Sequence, residues 1–258
     1  MNLTSHIRDR LESQRILLMT HVIVGFPSLE ANWRMLEIMQ EAGIDMVELQ
    51  MPFSEPIADG PTFARANQMA IDRGIRLAQY FELVQRSAAA FEFPHLMMGY
   101  YNTVFRLGHA PFCQRLAASG ACGYIVPDLP FEEYGDLTAI SQEHGLSPIL
   151  LMTPTNASER LAAIGQHARG FVYVVARKGV TGKQTALDQG LGDFVARCRR
   201  HTDLPLALGF GLRAGADLQQ LQGTVEMAIV GSALLDAWEV GGEAGYRGFL
   251  QDLASGRE

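Results

Sequence analysis

The stretch Glu48-Leu49-Gln50-Met51-Pro52-Phe53-Ser54-Glu55-Pro56-Ile57-Ala58-Asp59-Gly60-Pro61 begins as a strand and turns into a loop. Asp45–Leu49 reads as a short buried strand, with Glu48 near its C-terminal end. Pro52 and Pro56 each fix φ and remove a backbone donor, so no regular ladder can continue through them. Ala58-Asp59-Gly60-Pro61 is strong turn chemistry. A carboxylate at a strand end and a second on a stiff loop can face one cavity, a geometry suited to paired acid–base work. The plainer alternative is that Glu48 is a satisfied rim residue and Asp59 an ordinary turn aspartate.

Outward from this stretch, strand-like and helix-like segments alternate along the chain. The expected strands are Leu17–Val24, Asp45–Leu49, His95–Tyr100, Gly123–Val126, Ser147–Met152, Gly170–Ala176, Pro205–Leu208 and Met227–Val230. Between them lie helical patterns at Leu29–Ala42, Thr62–Arg73, Leu77–Phe91, Pro111–Ser119, Glu132–His144, Ser158–Gln166, Thr185–Arg199 and Ala216–Gln222, with Ser232–Leu253 following the last strand. Such alternation predicts a parallel sheet with right-handed crossovers. Eight units in 258 residues fit an α/β fold, a single (β/α)8 TIM barrel, with the whole of 1–258 as one domain. An extra N-terminal helix, with Leu3, Ile7 and Leu11 on one face, could close the barrel bottom.

Composition narrows the class of function. Apolar residues make up 48% and charged residues 19% of the chain, enough apolar content for a large core. A net charge of −7 argues against a nucleic-acid groove, which needs a basic stripe. Cys113, Cys122 and Cys198 are scattered, which points to idle thiols in a reducing cytoplasm and away from a disulfide frame or zinc site. No apolar run approaches about 18 residues, so no membrane-spanning helix is expected.

In a barrel of this kind, chemistry sits at the C-terminal strand ends. Glu48, Tyr100, Asn102, Asp128, Tyr173 and Gly209 all fall near those ends. Late in the chain, Arg177-Lys178-Gly179-Val180-Thr181-Gly182, Gly209-Phe210-Gly211-Leu212 and Gly231-Ser232-Ala233-Leu234 follow strands six, seven and eight. Free N–H groups at a helix start, the positive dipole end and close backbone approach at glycine suit a phosphate, although glycines are also needed at turns that bind nothing.

The organising stretch resembles the signature of the tryptophan synthase alpha subunit family, Glu-Leu-Gly-x-Pro-Phe-Ser-Asp-Pro-x-Ala-Asp-Gly-Pro. The Gly-Val-Thr-Gly, Gly-Phe-Gly and Gly-Ser turns, Met98-Gly99-Tyr100-Tyr101-Asn102 and Val126-Pro127-Asp128-Leu129-Pro130 resemble further blocks of that family in the same order. The resemblance runs from about Gly25 to about Leu235. It implies retro-aldol cleavage of indole-3-glycerol phosphate to indole and glyceraldehyde 3-phosphate, without metal or cofactor. It also implies a beta subunit that uses pyridoxal phosphate and takes the indole, in an expected alpha2-beta2 tetramer.

Carried over residue by residue, Glu48 is the general acid–base and Asp59 stabilises charge at the indole nitrogen. Tyr100 and Tyr173 line the site, Tyr173 being equally well explained by packing. Thr181 and Gly182 lie in the covering loop, and Gly211, Gly231 and Ser232 take the phosphate. Glu55 lies on the loop that meets the beta subunit. The chain departs from the pattern at Gln50 (usually Gly), Glu55 (usually Asp), Phe26 (commonly acidic) and His21 (usually aromatic or apolar), and His21 is expected to act as pocket wall. A free-standing lyase and a non-catalytic activator of a beta subunit are the competing readings.

Overall fold

The computed structural model describes residues 2–175, 189–209 and 211–257. Eight strands form a closed parallel barrel: β1 (Leu17–Ile23), β2 (Met46–Gln50), β3 (His95–Met98), β4 (Gly123–Ile125), β5 (Ser147–Met152), β6 (Val172–Val175), β7 (Leu206–Gly209) and β8 (Met227–Val230). The strands follow chain order around the barrel, and β1 closes it on β8 through Leu17↔Met227 to Thr20↔Val230.

The helices are α1 (Leu3–Leu11), α2 (Leu29–Glu41), α3 (Pro61–Asp72), α4 (Leu77–Ala90), α5 (Tyr101–Leu107), α6 (His109–Ala118), α7 (Leu137–Glu143), α8 (Ser158–His167), α9 (Gln189–Arg199), α10 (Gly215–Gln219) and α11 (Ser232–Ser255). Helix α5 is absent from the sequence expectation. Its N-terminus is held by a residue distant in sequence: the Asp128 carboxylate accepts the Tyr101 N–H at 2.9 Å. The third strand therefore stops at Met98, and Tyr100 becomes the residue that precedes a helix. Among the described residues no helix is long and apolar enough to cross a membrane.

Alternation along each strand divides the core. Leu17 and Met19 of β1 and Met46 of β2 join the inner cluster with Leu96, Ile149 and Met227. Their neighbours Leu18, Val22, Val47 and Leu49 face the helices. By the same period, His21, Glu48 and Gln50 continue the inner face upward. The barrel interior is thus apolar at its bottom and polar at its top, where the strands end.

Helix α1 closes the bottom, as its apolar stripe predicts. Leu3 and Ile7 are buried in the inner cluster, and the Thr4 hydroxyl donates to the Gly170 carbonyl at 2.8 Å. Asp45, at the start of β2, gathers both ends of the chain. Its Oδ1 accepts from Arg10 of α1 at 2.7 Å. Its Oδ2 accepts the Leu18 N–H at 2.9 Å and Arg257 Nη1 at 2.8 Å.

Arg10 is 41% exposed and its pair with Asp45 is screened by water, whereas the Arg257 side chain is only 7% exposed. Removing Asp45 would leave the Leu18 N–H without its acceptor and the buried Arg257 charge without a counter-ion, held only by the Gly43 and Ala42 carbonyls. Asp45→Ala is expected to lower stability by about 3–5 kcal/mol, read as a fall in the urea midpoint at unchanged slope. Arg10→Ala should cost about 1 kcal/mol or less. Both variants should leave the opposite end of the barrel undisturbed while folded, because Asp45 lies where the strands begin.

Candidate active site

At the C-terminal ends of the strands lies a cavity of about 470 Å³, within the range of small-molecule sites. Phe63, Met98, Ile125 and Leu151 supply apolar walls, while Glu48, Asp59, His21 and Tyr173 bring polar groups to it. Ile57, 72% exposed, stands at its rim beside Ala58. A flat apolar ring would be buried between such walls, with a few polar groups fixing its orientation.

Glu48 is delivered by β2 with its carboxylate nearly out of solvent, 2% exposed. Its Oε1 lies 2.7 Å from His21 Nδ1. The pairing of β1 with β2 sets His21 directly beside Glu48. Two residues further along β2, on the same face, Gln50 lies with its Oε1 2.6 Å from His21 Nε2. The Gln50 amide then donates to Asp59 Oδ2 at 2.7 Å and to Asn67 Oδ1 at 3.2 Å. The two carboxylates are therefore joined through His21 and Gln50.

Asp59 is reached by the stiff loop after β2. Besides Gln50, it accepts from Asn67 Nδ2 at 3.3 Å and hydrogen-bonds the Tyr100 hydroxyl. That hydroxyl accepts the Ala58 N–H at 3.2 Å, and the Tyr100 ring stacks on Phe53 with centroids 5.1 Å apart. Tyr100 thus holds the carboxylate-bearing loop against the barrel.

The electrostatics follow from burial in a low-dielectric pocket. Burial raises the Asp59 carboxyl above its ordinary value; the Gln50 hydrogen bond, the His21 charge and the Tyr100 hydroxyl oppose this without cancelling it. Burial alone would lower the His21 imidazolium, but Glu48, through charge and hydrogen bond, with Asp59 and Gln50, brings it above the ordinary 6.5. Burial and the charges of Glu48 and Asp59 hold the Tyr173 phenol well above its usual range, so it is a neutral donor at physiological pH.

The structure brings Glu48, Asp59, Tyr100 and Tyr173 together, as the sequence reading requires. Tyr173 leans on Gly209, where an added Cβ would lie 3.2 Å from the phenol oxygen. Asp128 and Asn102 belong elsewhere: Asp128 anchors α5, and Asn102 is exposed on that helix. Of the residues expected to take a phosphate, Gly211 has φ +70°, a conformation that favours glycine, and Ser232 opens the long helix α11. Gly231 is required by packing: a Cβ there would meet the Phe63 ring at 2.5 Å. Thr181 and Gly182, with Arg177 and Lys178, lie outside the described residues. Glu55 is exposed on the loop between β2 and α3.

Phe26 is buried with Ile23, Phe63 and Leu235, so a hydrophobic contact occupies a commonly acidic position. His21 is a wall of the pocket, as expected, and also part of its polar network. The sequence reading missed Gln50 and Asn67 as network members. Gln50 could have been found from the two-residue period that it shares with Glu48. Asn67 could not, because its role depends on how α3 packs over the loop.

Comparison with known proteins agrees with this geometry. The family model described as tryptophan synthase alpha chain matches residues 7–247. The tryptophan synthase alpha chain of Syntrophotalea carbinolica is 43% identical over 251 residues, covering 97% of this chain and 99% of the relative. That of Desulforapulum autotrophicum is 44% identical, covering 98% and 100%. A solved structure of Mycobacterium tuberculosis tryptophan synthase superposes with a TM-score of 0.92 at 34% identity, covering 99% of this chain and 97% of its own. With a closed eight-stranded barrel, two carboxylates at one apolar cavity and these near full-length matches, the chain belongs to the tryptophan synthase alpha chain family.

Proposed function

We propose that this chain is a carbon–carbon lyase of tryptophan biosynthesis that cleaves indole-3-glycerol phosphate to indole and glyceraldehyde 3-phosphate. The observation that carries this reading is the convergence of Glu48 and Asp59 on one cavity of about 470 Å³ with apolar walls. The indole ring occupies the space among Phe63, Met98, Ile125 and Leu151. Asp59 accepts from the ring N–H and stabilises the positive charge that develops when C3 is protonated.

Glu48 delivers a proton to C3 and then takes the proton of the side-chain hydroxyl at C3′. The C3–C3′ bond breaks as its electron pair returns to the ring and the hydroxyl carbon becomes the aldehyde. Protons balance, and no electron acceptor is required. Tyr173, kept neutral, lines the site as a donor. Gly211, Gly231 and Ser232 are assigned to the phosphate, because Gly211 adopts a glycine conformation and Ser232 opens α11, whose first N–H groups lack helical partners. Thr181 and Gly182 are assigned to the covering loop.

The product indole passes to a tryptophan synthase beta subunit. Glu55 and its exposed neighbour Ile57 on the same loop are the proposed contact. Cytoplasmic residence fits the free cysteines Cys113, Cys122 and Cys198, all buried as thiols. The presence of both carboxylates favours chemistry over a purely activating role.

Glu48→Gln is expected to lower kcat by ~10²–10⁴-fold with little change in substrate binding; a rate within a few-fold of the parent would remove Glu48 from the mechanism. A second measurement addresses the partner. Glu55→Lys should weaken and slow association with the cognate beta subunit, while the activity of the isolated chain stays near the parental value. Glu55→Asp should bind like the parent. If Glu55→Lys titrates and is activated as the parent is, the beta subunit docks elsewhere on the chain.

A further inference from the structure

The orientation of the polar network at the top of β1 and β2 can be read outward from the backbone. Asn67 is fixed first. Its Oδ1 accepts the Phe53 N–H at 3.0 Å and its Nδ2 donates to the Phe63 carbonyl at 2.8 Å. Flipping this amide would set donor against donor and acceptor against acceptor. Asn67 therefore presents an oxygen to Gln50, and Asp59 presents another. Gln50 answers both with its Nε2, which leaves its Oε1 facing His21 Nε2 at 2.6 Å. On the other side of the ring, Glu48 Oε1 faces Nδ1 at 2.7 Å. With Glu48 ionised, both ring nitrogens meet acceptors, and only an imidazolium donates from both.

Charge around the ring agrees. Glu48 from β2 and Asp59 from the following loop are the carboxylates near it, and Tyr173 of β6 lines the same cavity as a neutral phenol. Phe63 of α3 lies beside the ring with centroids 4.5 Å apart, and Gly231 after β8 is close enough that an added Cβ would lie 3.3 Å from the His21 Cβ; neither carries charge. Among the described residues lining the cavity there is no Lys or Arg. Without a cation, two nearly buried carboxylates would share an apolar pocket uncompensated.

We propose that His21, held as an imidazolium between Glu48 and Gln50, is a positioning residue that acts through Glu48, and that the Glu48–His21 pair is the acid–base unit of the cleavage. This rests on the assignment of Glu48 under the proposed function. The pair carries one proton. It leaves His21 Nδ1 for Glu48 and passes from Glu48 to indole C3. Glu48 then takes the C3′ hydroxyl proton as the C3–C3′ bond breaks, and that proton returns to Nδ1. The pair ends as it began. The family signature, with Gly at the position of Gln50 and an apolar or aromatic residue at that of His21, lacks both members of this bridge.

Two measurements test the proposal. The first is ¹⁵N NMR of the His21 ring in the full-length, unliganded chain, assigned through bonds, which requires neither turnover nor a variant. Both nitrogens are expected to be protonated at pH 7, with deprotonation only above the ordinary histidine value of 6.5. A neutral tautomer at pH 7 would overturn the proposal. The second is the pH dependence of indole-3-glycerol phosphate cleavage. Activity that needs a proton on the pair is present at lower pH and lost as pH rises. In His21→Phe, which keeps a ring against Phe63, the high-pH limb of kcat should move down by about one pH unit or more, with KM nearly unchanged. An unshifted limb would show His21 to be packing alone. If the parent cleaves nothing although the NMR shows the imidazolium, the assigned reaction fails while the bridge stands.

Discussion

The site depends on the register between β1 and β2. Parallel pairing sets His21 against Glu48 and Ile23 against Gln50. Side chains alternate with a period of two, so a one-residue slip would turn Glu48 and Gln50 outward and bring Val47 and Leu49 into the cavity. The register is fixed from below by burial. Leu17, Met19 and Met46 sit in the inner cluster, and the Leu18 N–H is bound by Asp45. The same carboxylate secures α1 and Arg257. Bottom-face packing thereby determines where the Glu48 carboxylate emerges at the top.

Much of the fold was legible because it rests on local signals. Apolar runs separated by helical periodicity give eight strands in order, and the stripe of Leu3 and Ile7 announces the helix that closes the barrel. The short helix Tyr101–Leu107 was not legible, since its N-terminal partner Asp128 is 27 residues away from Tyr101. For the site, Glu48 and Asp59 could be read from position and turn chemistry. Gly231 shows a limit of such reading. At a helix start its glycine suggests close approach to an anion, but the nearest constraint is the Phe63 ring, which α3 brings across the barrel. Nothing local in sequence indicates that contact.

His21 illustrates how one side chain satisfies two demands. As a ring it continues the wall formed with Phe63. As a cation it offsets the negative charge of two carboxylates held in an apolar pocket. An aromatic residue would meet the first demand alone, leaving Gln50 with a carbonyl pointing at carbon. His21 and Gln50 are therefore best understood as a pair: each supplies what the other's buried polar atom lacks.

The directionality of the network originates in the loop that follows β2. The ladder between β2 and β3 ends where the Met51 N–H donates to the Met98 carbonyl, and the next N–H on that side, that of Phe53, donates to Asn67 Oδ1. Asn67 transmits that polarity to Gln50, and Gln50 to His21. A backbone donor at the end of β2 thus determines, three side chains away, that the Gln50 oxygen faces His21 Nε2. The two carboxylates occupy the ends of this ordered chain, Glu48 against a donor of His21 and Asp59 against donors of Gln50 and Asn67. Neither can reorient without leaving a buried polar atom unpaired. Their preorganisation is consequently a property of the loop sequence as much as of the barrel that carries it.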